Sequence, residues 1–244
     1  MDFTTLFLIV LPIVAFLYAS VGHGGASGYL ALMALFGFAP ETMKPTALLL
    51  NLFVAGIAFI QYYRKGHFNA RLFAFFAIGS IPLAFIGGGM EINVTLYKGI
   101  LGVLLLFAVG KMLGIIGGQE KEEIKKVSAL AGIGIGMAIG FFSGLIGIGG
   151  GIILSPVILL FGWGKMKEAA AVSALFIWVN SAAGFTGQYF AGLELHPSAF
   201  LWVGIAVVGG FLGSYFGSTK YSHVQLKRLL AVVLILASIK LFIV

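Results

Sequence analysis

The sequence predicts an all-α polytopic membrane protein built from two inverted repeats, and three observations support that prediction. First, 60% of the 244 residues are apolar, only 9% are charged, and the mean hydropathy is +1.10. Second, the apolar residues form long uninterrupted runs. Third, the two halves of the chain share matched glycine, hydroxyl and basic positions. Soluble domains carry about 25% charged residues, so this chain lacks the polar surface of a water-soluble globule.

Composition also excludes several classes of function. Cysteine is absent, which excludes disulfides, thiolate metal sites and cysteine nucleophiles. The net charge of +7 invites a nucleic-acid partner, but the basic residues lie at loop edges, as they do on the cytoplasmic side of membrane proteins. We therefore expect the lipid bilayer as surroundings, and neither a nucleic-acid partner nor a cofactor or metal.

The spanning helices are predicted from the apolar runs, because a helix needs about 20 apolar residues to cross a bilayer. Residues 3–40 and residues 127–164 contain no Asp, Glu, Lys or Arg, and each run is long enough for two helices. Six further segments have the length of one helix: residues 45–63, 72–87, 99–116, 169–190, 198–217 and 229–244.

Each long run is interrupted by a glycine cluster. Beyond the cluster only residues 29–38 or residues 152–161 remain, and at about 1.5 Å per residue such a piece covers roughly half a bilayer. Each run therefore predicts a broken, re-entrant hairpin with its glycine tip inside the membrane. Together with three spanning helices per half, this gives about ten helical segments.

The two halves repeat each other. Residues 1–118 form the first predicted repeat, residues 119–126 a polar cytoplasmic linker, and residues 127–244 the second repeat. The matched positions are Gly22 with Gly147, Gly24 with Gly149, Gly25 with Gly150, Gly37 with Gly162, Thr46 with Ser173, and Gln61 with Gln188. Repeats of this size with paired helix breaks are typical of secondary transporters.

The distribution of basic residues predicts that the second repeat is inverted. A hairpin returns the chain to its starting side, and three crossings then place the two repeats in opposite orientations. Parallel repeats would divide the 15 Lys and Arg residues eight to seven. Inverted repeats place only Lys44, Lys98 and Lys240 on one face and twelve on the other: Arg64, Lys65, Arg71, Lys111, Lys121, Lys125, Lys126, Lys165, Lys167, Lys220, Lys227 and Arg228. By the positive-inside rule, both termini are then extracytoplasmic.

The glycine tips are the predicted substrate site. The short helices after the tips begin near Ser27 and Gly151, and their N-termini favour an anion through free N–H groups and the helix dipole. His23 lies inside the first tip, and three roles remain open for it: proton carrier, hydrogen-bond donor to the anion, or packing residue. The candidate substrate-binding residues are Gly22, His23, Gly24, Gly25, Ala26, Ser27, Asn51, Ser143, Gly147, Gly149, Gly150, Gly151 and Asn180.

The second tip resembles the TauE/SafE family, also called the sulfite exporter or toluene-sulfonate uptake permease family. The resemblance lies in the segment FSGLIGIGGG at residues 142–151, followed by Pro156, and a weaker copy occupies residues 20–28. It covers nearly the whole chain. It implies a cell-membrane transporter of sulfite, sulfonates or related small organosulfur anions, a class in which some members are linked to proton movement.

The leading hypothesis is thus a secondary anion transporter that works by alternating access, and not an enzyme. A passive anion channel is one alternative, since half-helices and repeats also occur in channels. An intramembrane serine protease is a weaker one, suggested by Ser27 near His23. Proton coupling, the direction of transport, and the choice between monomer and homodimer stay open.

Overall fold

The protein is described by a computed structural model that covers residues 3–38, 40–90 and 124–222, with isolated positions between 224 and 239. Within these residues the chain is helical and contains no strand. The predicted segment 99–116, linker residues 119–123 and most of segment 229–244 lie outside the described residues. The helices are α1 Phe3–Ser20, α2 Ala26–Leu35, α3 Pro40–Arg64, α4 Ala70–Gly88, α5 Ala129–Ile146, α6 Gly151–Phe161, α7 Met166–Phe190 and α8 Ala199–Tyr215, which continues into a short π-helix, Phe216–Lys220.

Each long apolar run is divided at its glycines into two helices. Residues 21–25, the first tip, separate α1 from α2, and residues 147–150, the second tip, separate α5 from α6. Backbone conformations with positive φ occur in both tips, and L side chains disfavour them, so glycine is required at these turns. The tip residues in this conformation are Gly22, Gly25, Gly147, Gly149 and Gly150.

The second helix of each pair folds back along the first. The ring of Phe7, near the start of α1, lies 5.5 Å from the ring of Phe36, just after α2. In the second pair, the amide of Lys125, which precedes α5, donates to the carbonyl of Gly162, which follows α6, at 2.8 Å. Each pair is thus a hairpin that begins and ends on the same side of the bundle.

Helices α3 and α7 cross the centre of the bundle and run antiparallel. Asn51 on α3 is hydrogen-bonded to Ser181 on α7. A Cβ added to Gly56 would contact Trp178, and one added to Gly184 would contact Leu48. Along these three contacts the residue numbers rise on α3 and fall on α7, which fixes the opposite direction of the two helices.

Two outer helix pairs pack through glycines and run parallel. Helix α1 packs on α8 and its π-helical end, and α5 packs on α4. Glycine at every fourth position lets the backbones approach closely, as is common between membrane helices. A Cβ added to any of these glycines would overlap the backbone oxygen of a residue on the facing helix. The glycines and the residues that they face are Gly209 and Pro12, Gly213 and Phe16, Gly217 and Ser20, Gly136 and Phe76, Gly140 and Ser80, and Gly144 and Ala84.

The bundle presents an apolar exterior. Leu130 is 85% exposed and Phe190 is 75% exposed, which suits lipid and not water. Among the described residues, five helical segments are long and apolar enough to cross a membrane: Thr42–Arg64, Ala70–Gly88, Ala129–Ile146, Met166–Phe190 and Ala199–Lys220. The described part of the chain is therefore all-helical and has the apolar helices of a multi-pass membrane protein.

The parallel glycine contacts give a first prediction, on stability. We expect Gly140→Leu and Gly213→Leu to lower the melting temperature of the detergent-solubilised protein, because each side chain would force two helices apart. Overpacking of this kind costs about 1–3 kcal/mol. Gly134→Leu and Gly204→Leu are matched controls, since no heavy atom lies within 4 Å of a Cβ at either position. Equal melting temperatures for both sets of variants would contradict the packing role.

Candidate functional site

The two tips meet halfway along the central helices. Asn51 and Ile177 lie near the midpoints of α3 and α7, each of which has 25 residues. A Cβ added to Gly149 would lie 2.7 Å from Asn51 Nδ2 and 2.7 Å from Ile177 Cγ2. A Cβ added to Gly24 would overlap Asn51 Oδ1 and would lie 3.1 Å from Ile177 Cγ2. The backbones of both tips therefore lie directly against the same two side chains.

Asn51 joins the two tips by hydrogen bonds. Its Oδ1 accepts from the amide of Ala26 at 3.0 Å and so caps the N-terminus of α2. Its Nδ2 donates to Ser181 Oγ at 3.2 Å and to the carbonyl of Ile148, in the second tip, at 3.5 Å. Asn51 is completely buried. One amide thus connects the first hairpin, the second tip and α7.

His23 forms a second connection between the tips. Its Nε2 lies 2.9 Å from the carbonyl oxygen of Gly151, the first residue of α6. The side chain is 1% exposed, and its Nδ1 has no hydrogen-bond partner among the described residues. A buried polar atom without a partner costs about 1–3 kcal/mol. The first tip therefore brings one unused ring nitrogen to the start of α6.

The N-termini of the two short helices differ. Asn51 caps α2, whereas the N-cap residue of α6 is Gly150, which provides no side-chain cap. Ser27, in the first turn of α2, donates to Tyr18 OH at 2.9 Å and is thereby tied to α1. The N-terminus of α6 therefore has N–H groups without a side-chain cap, which can bind an anion.

Ser143 lies beside the second tip, and Asn180 lies one helical turn along α7 from Phe176, whose ring contacts that tip. Both are fully buried, and Ser143 Oγ and Asn180 Oδ1 lack hydrogen-bond partners in the part of the chain that is described. Asn180 Nδ2 donates to the carbonyl of Phe176 at 2.7 Å. A Cβ on Gly150 would lie 2.9 Å from the Phe176 ring and 3.3 Å from Ser143 Cβ. The second tip thus has polar groups beside it with unused hydrogen-bonding capacity.

The structure assembles some of the predicted site residues more closely than others. Gly24, Ala26, Asn51, His23, Gly149 and Gly151 meet directly around the two tips. Gly22 lies against Ala170, near the start of α7, and Gly147 lies against Lys44, near the start of α3, so these two mark the margins. Sequence reasoning missed Tyr18, Ile177 and Ser181. Ser181 follows Asn180 inside an apolar segment, and that polar pair is the signal that could have revealed it.

A cleft lies where α3 ends and α7 begins, and none of its lining residues belongs to a tip. It has a volume of about 630 Å³ and is lined by residues 66–70 and by Lys165, Lys167 and Glu168. His67 Nε2 and Lys167 Nζ both donate to the carbonyl of Ser218, each at 3.3 Å. Burial lowers the pKa of His67 below its ordinary value, and nearby lysines act in the same direction. Lysines therefore carry the positive charge of this cleft.

Comparison with known proteins identifies the family. Residues 6–241 match the family described as Sulfite exporter TauE/SafE. The chain belongs to this family. A probable membrane transporter protein of Sinorhizobium fredii is 37% identical over 233 residues, which cover 94% of each chain. Another, from Bacillus subtilis, is 25% identical over 237 residues and covers 90% of this chain and 92% of the relative.

These matches confirm the resemblance inferred from the second tip. The TauE/SafE chain described here is thus a member of a membrane-transporter family, and its apolar helices are consistent with that assignment. No solved structure matches it. The names of the relatives specify transport but not a substrate.

Proposed function

We propose that this protein is a secondary transporter that moves a small organosulfur anion, such as sulfite or a sulfonate, across the membrane by alternating access. The observation that carries the proposal is the meeting of two glycine tips halfway along α3 and α7, one from each half of the chain, around Asn51 and Ile177. Paired helix breaks at the middle of the bilayer are the usual location of a transporter's substrate site.

The inverted repeat belongs to the same proposal. Equivalent helices α3 and α7 run antiparallel. The pair α1 and α8 has the same parallel arrangement as the pair α5 and α4, and α1 corresponds to α5 while α4 corresponds to α8. These relations favour two repeats that rock against each other, with the tips at their interface. Residues 1–118 and 127–244 are the proposed repeats.

The charge of the site favours a weakly held anion. Neither long apolar run contains a Lys, Arg, Asp or Glu. We propose that the anion is held by the N–H groups at the start of α6 and by hydroxyl and amide groups such as those of Ser143 and Asn180. Binding without a fixed cation is weaker than binding to a Lys or Arg side chain, which favours release of the anion by a carrier. The family description supplies the substrate class, sulfite and its organic relatives.

A flux assay tests the function. The purified protein in liposomes is expected to take up sulfite or methanesulfonate with saturation, and preloaded unlabelled anion should accelerate uptake of the labelled anion. This exchange requires a site that alternates between the two sides. Uptake that neither saturates nor responds to preloading would indicate a channel. Absence of flux for both anions would overturn the proposal.

Single-cysteine labelling tests which loops lie on each side of the membrane. Because the chain has no cysteine, single cysteines can be introduced without background labelling. We expect Lys65→Cys, exposed after α3, to react only from the cytoplasmic side. Glu194→Cys, exposed between α7 and α8, and a C-terminal tag should be accessible only from outside. Labelling of both cysteines from one side, or a cytoplasmic tag, would contradict the inverted arrangement.

A further inference from the structure

The hydrogen bond between His23 and Gly151 fixes the chemistry of the other ring nitrogen. A carbonyl oxygen can only accept, so His23 Nε2 carries a hydrogen and donates to Gly151. In the neutral imidazole, Nδ1 is then a lone pair and can only accept. That lone pair would repel an anion oxygen. Nδ1 can therefore contact an anion only when a proton lies between the two atoms.

The groups that contact His23 in the described part of the chain, Tyr18 and Gly151, carry no charge. The ring of Tyr18 lies 6.4 Å from that of His23 between centroids, and Tyr29 lies against Gly25 with its hydroxyl 2.7 Å from where a Cβ would be. The described residues that lie against His23 or the first tip include Tyr18 of α1, Tyr29 of α2, Asn51 of α3, Gly151 of α6, and Ala170 and Ile177 of α7, and all are uncharged at neutral pH. Lys44 lies against Gly147 at the margin of the second tip, but its Nζ is hydrogen-bonded to the carbonyls of Gly88 and Met90. A proton on Nδ1 is therefore the charge that can balance an anion beside His23 directly.

We propose that His23 takes up one proton with each substrate anion and holds it between Nδ1 and an anion oxygen. The inference rests on the proposed function, because it assigns a proton to the anion site described there. The added proton turns a repulsive contact into a charge-assisted N–H···O hydrogen bond. When the anion leaves, the imidazolium would remain charged in an apolar site, which is unfavourable, so the proton leaves too.

The consequence is electroneutral co-transport of a monoanion and a proton. The proton enters from the side that supplies the anion and is released on the other side, and Nε2–H keeps its bond to Gly151 throughout. His23 is thereby both an anion-binding residue and the coupling residue. Ile148, the equivalent residue in the second tip, cannot carry a proton, so one proton per anion is expected.

The experiment uses proteoliposomes containing a pH-sensitive dye, with the membrane potential clamped and methanesulfonate as the probe. Methanesulfonate carries no proton of its own near neutral pH, so any proton that moves with it is bound by the protein. For the wild type we expect one proton per anion. We also expect the apparent KM to rise about tenfold per pH unit once His23 is neutral in the free protein. A proton gradient should drive uphill uptake.

Two substitutions of His23 distinguish the role of its Nε2 atom from that of its Nδ1 atom. The amide nitrogen of glutamine reaches the position of Nε2, so His23→Gln keeps the bond to Gly151 and loses the Nδ1 contact. We expect it to weaken anion binding about tenfold to a hundredfold and to remove the pH dependence. The amide nitrogen of asparagine reaches the position of Nδ1 and donates without an added proton. His23→Asn should therefore bind the anion without proton movement.

His67→Gln is the matched control, because His67 also donates through Nε2 to a carbonyl, that of Ser218, outside the tips. It should retain proton coupling. Anion uptake by the wild type without proton movement, or unchanged coupling in His23→Gln, would overturn this inference and leave the proposed transporter intact. Absence of any anion flux in the wild type would instead overturn the proposed function, and this inference with it.

Discussion

Asn51→Ala is expected to abolish transport and to lower the free energy of unfolding by about 2–5 kcal/mol. The substitution removes the acceptor for the Ala26 amide and the donor to Ile148 and Ser181. Each buried group left without a partner costs about 1–3 kcal/mol. Because Asn51 touches both tips, we expect its loss to disturb the binding geometry in addition to stability. The measurements are saturable uptake in proteoliposomes and the melting temperature.

Two variants make this prediction selective. Ser181→Ala removes only one of the Asn51 hydrogen bonds, so an intermediate loss of transport is expected. Asn69→Ala removes the cap of α4 and a hydrogen bond to Glu168, neither of which involves Asn51, and should cost about 1–2 kcal/mol of stability while transport continues. If Asn51→Ala transported as well as Asn69→Ala at equal stability, Asn51 would have no special role at the site.

Gly149 is the second position at which a large loss of transport is expected, even from alanine, which adds only one methyl group. Gly149→Ala places a Cβ 2.7 Å from Asn51 Nδ2 and 2.9 Å from Ser181 Oγ, in a backbone conformation with φ of +74°. We expect at least a tenfold loss of transport, and complete loss for Gly149→Leu or Gly150→Leu, with membrane insertion retained. The cause is displacement of Asn51 and obstruction of the N–H groups at the start of α6.

Gly37→Ala is the control for backbone strain. Gly37 has φ of +72°, close to that of Gly149, but no heavy atom lies within 4 Å of a Cβ there. The two alanine variants therefore share a strain of about 1 kcal/mol, and only Gly149→Ala also disturbs the tips. Equal transport by the two variants would mean that the space at Gly149 is not needed. Protein amount in the membrane and elution as a single species would verify insertion and folding.

Local sequence features were enough to predict the membrane class and the helix breaks. A chain with so few charged residues cannot cover the surface of a water-soluble fold with polar groups, whatever its topology. The glycine clusters determine where the hairpins turn, because positive φ at Gly22 and Gly147 is a property of a single residue. The short helices were expected to begin near Ser27 and Gly151, and they begin at Ala26 and Gly151. The tip motif also carried the family resemblance.

The contacts that bring the two tips and the central helices together into a site could not be predicted from local sequence features. Asn51 and Ser181 are separated by 130 residues, and His23 and Gly151 by 128. In an apolar helix any buried polar side chain can bond to its own backbone, as Asn180 does with Phe176, or reach across to another helix, as Asn51 does. Sequence reasoning could nominate both asparagines, but it could not distinguish these outcomes.

The sequence by itself determined that this protein lies in the membrane, where its helices break and which family it belongs to, because these depend on composition, single-residue conformation and a local motif. The tertiary structure alone decided that the two tips converge on Asn51 and Ile177, that Ser181 joins them, and that His23 directs its Nε2 hydrogen to Gly151. The physical reason is that helix packing brings distant residues together. Only such packing determines which ring nitrogen of a histidine is used and which remains for a ligand.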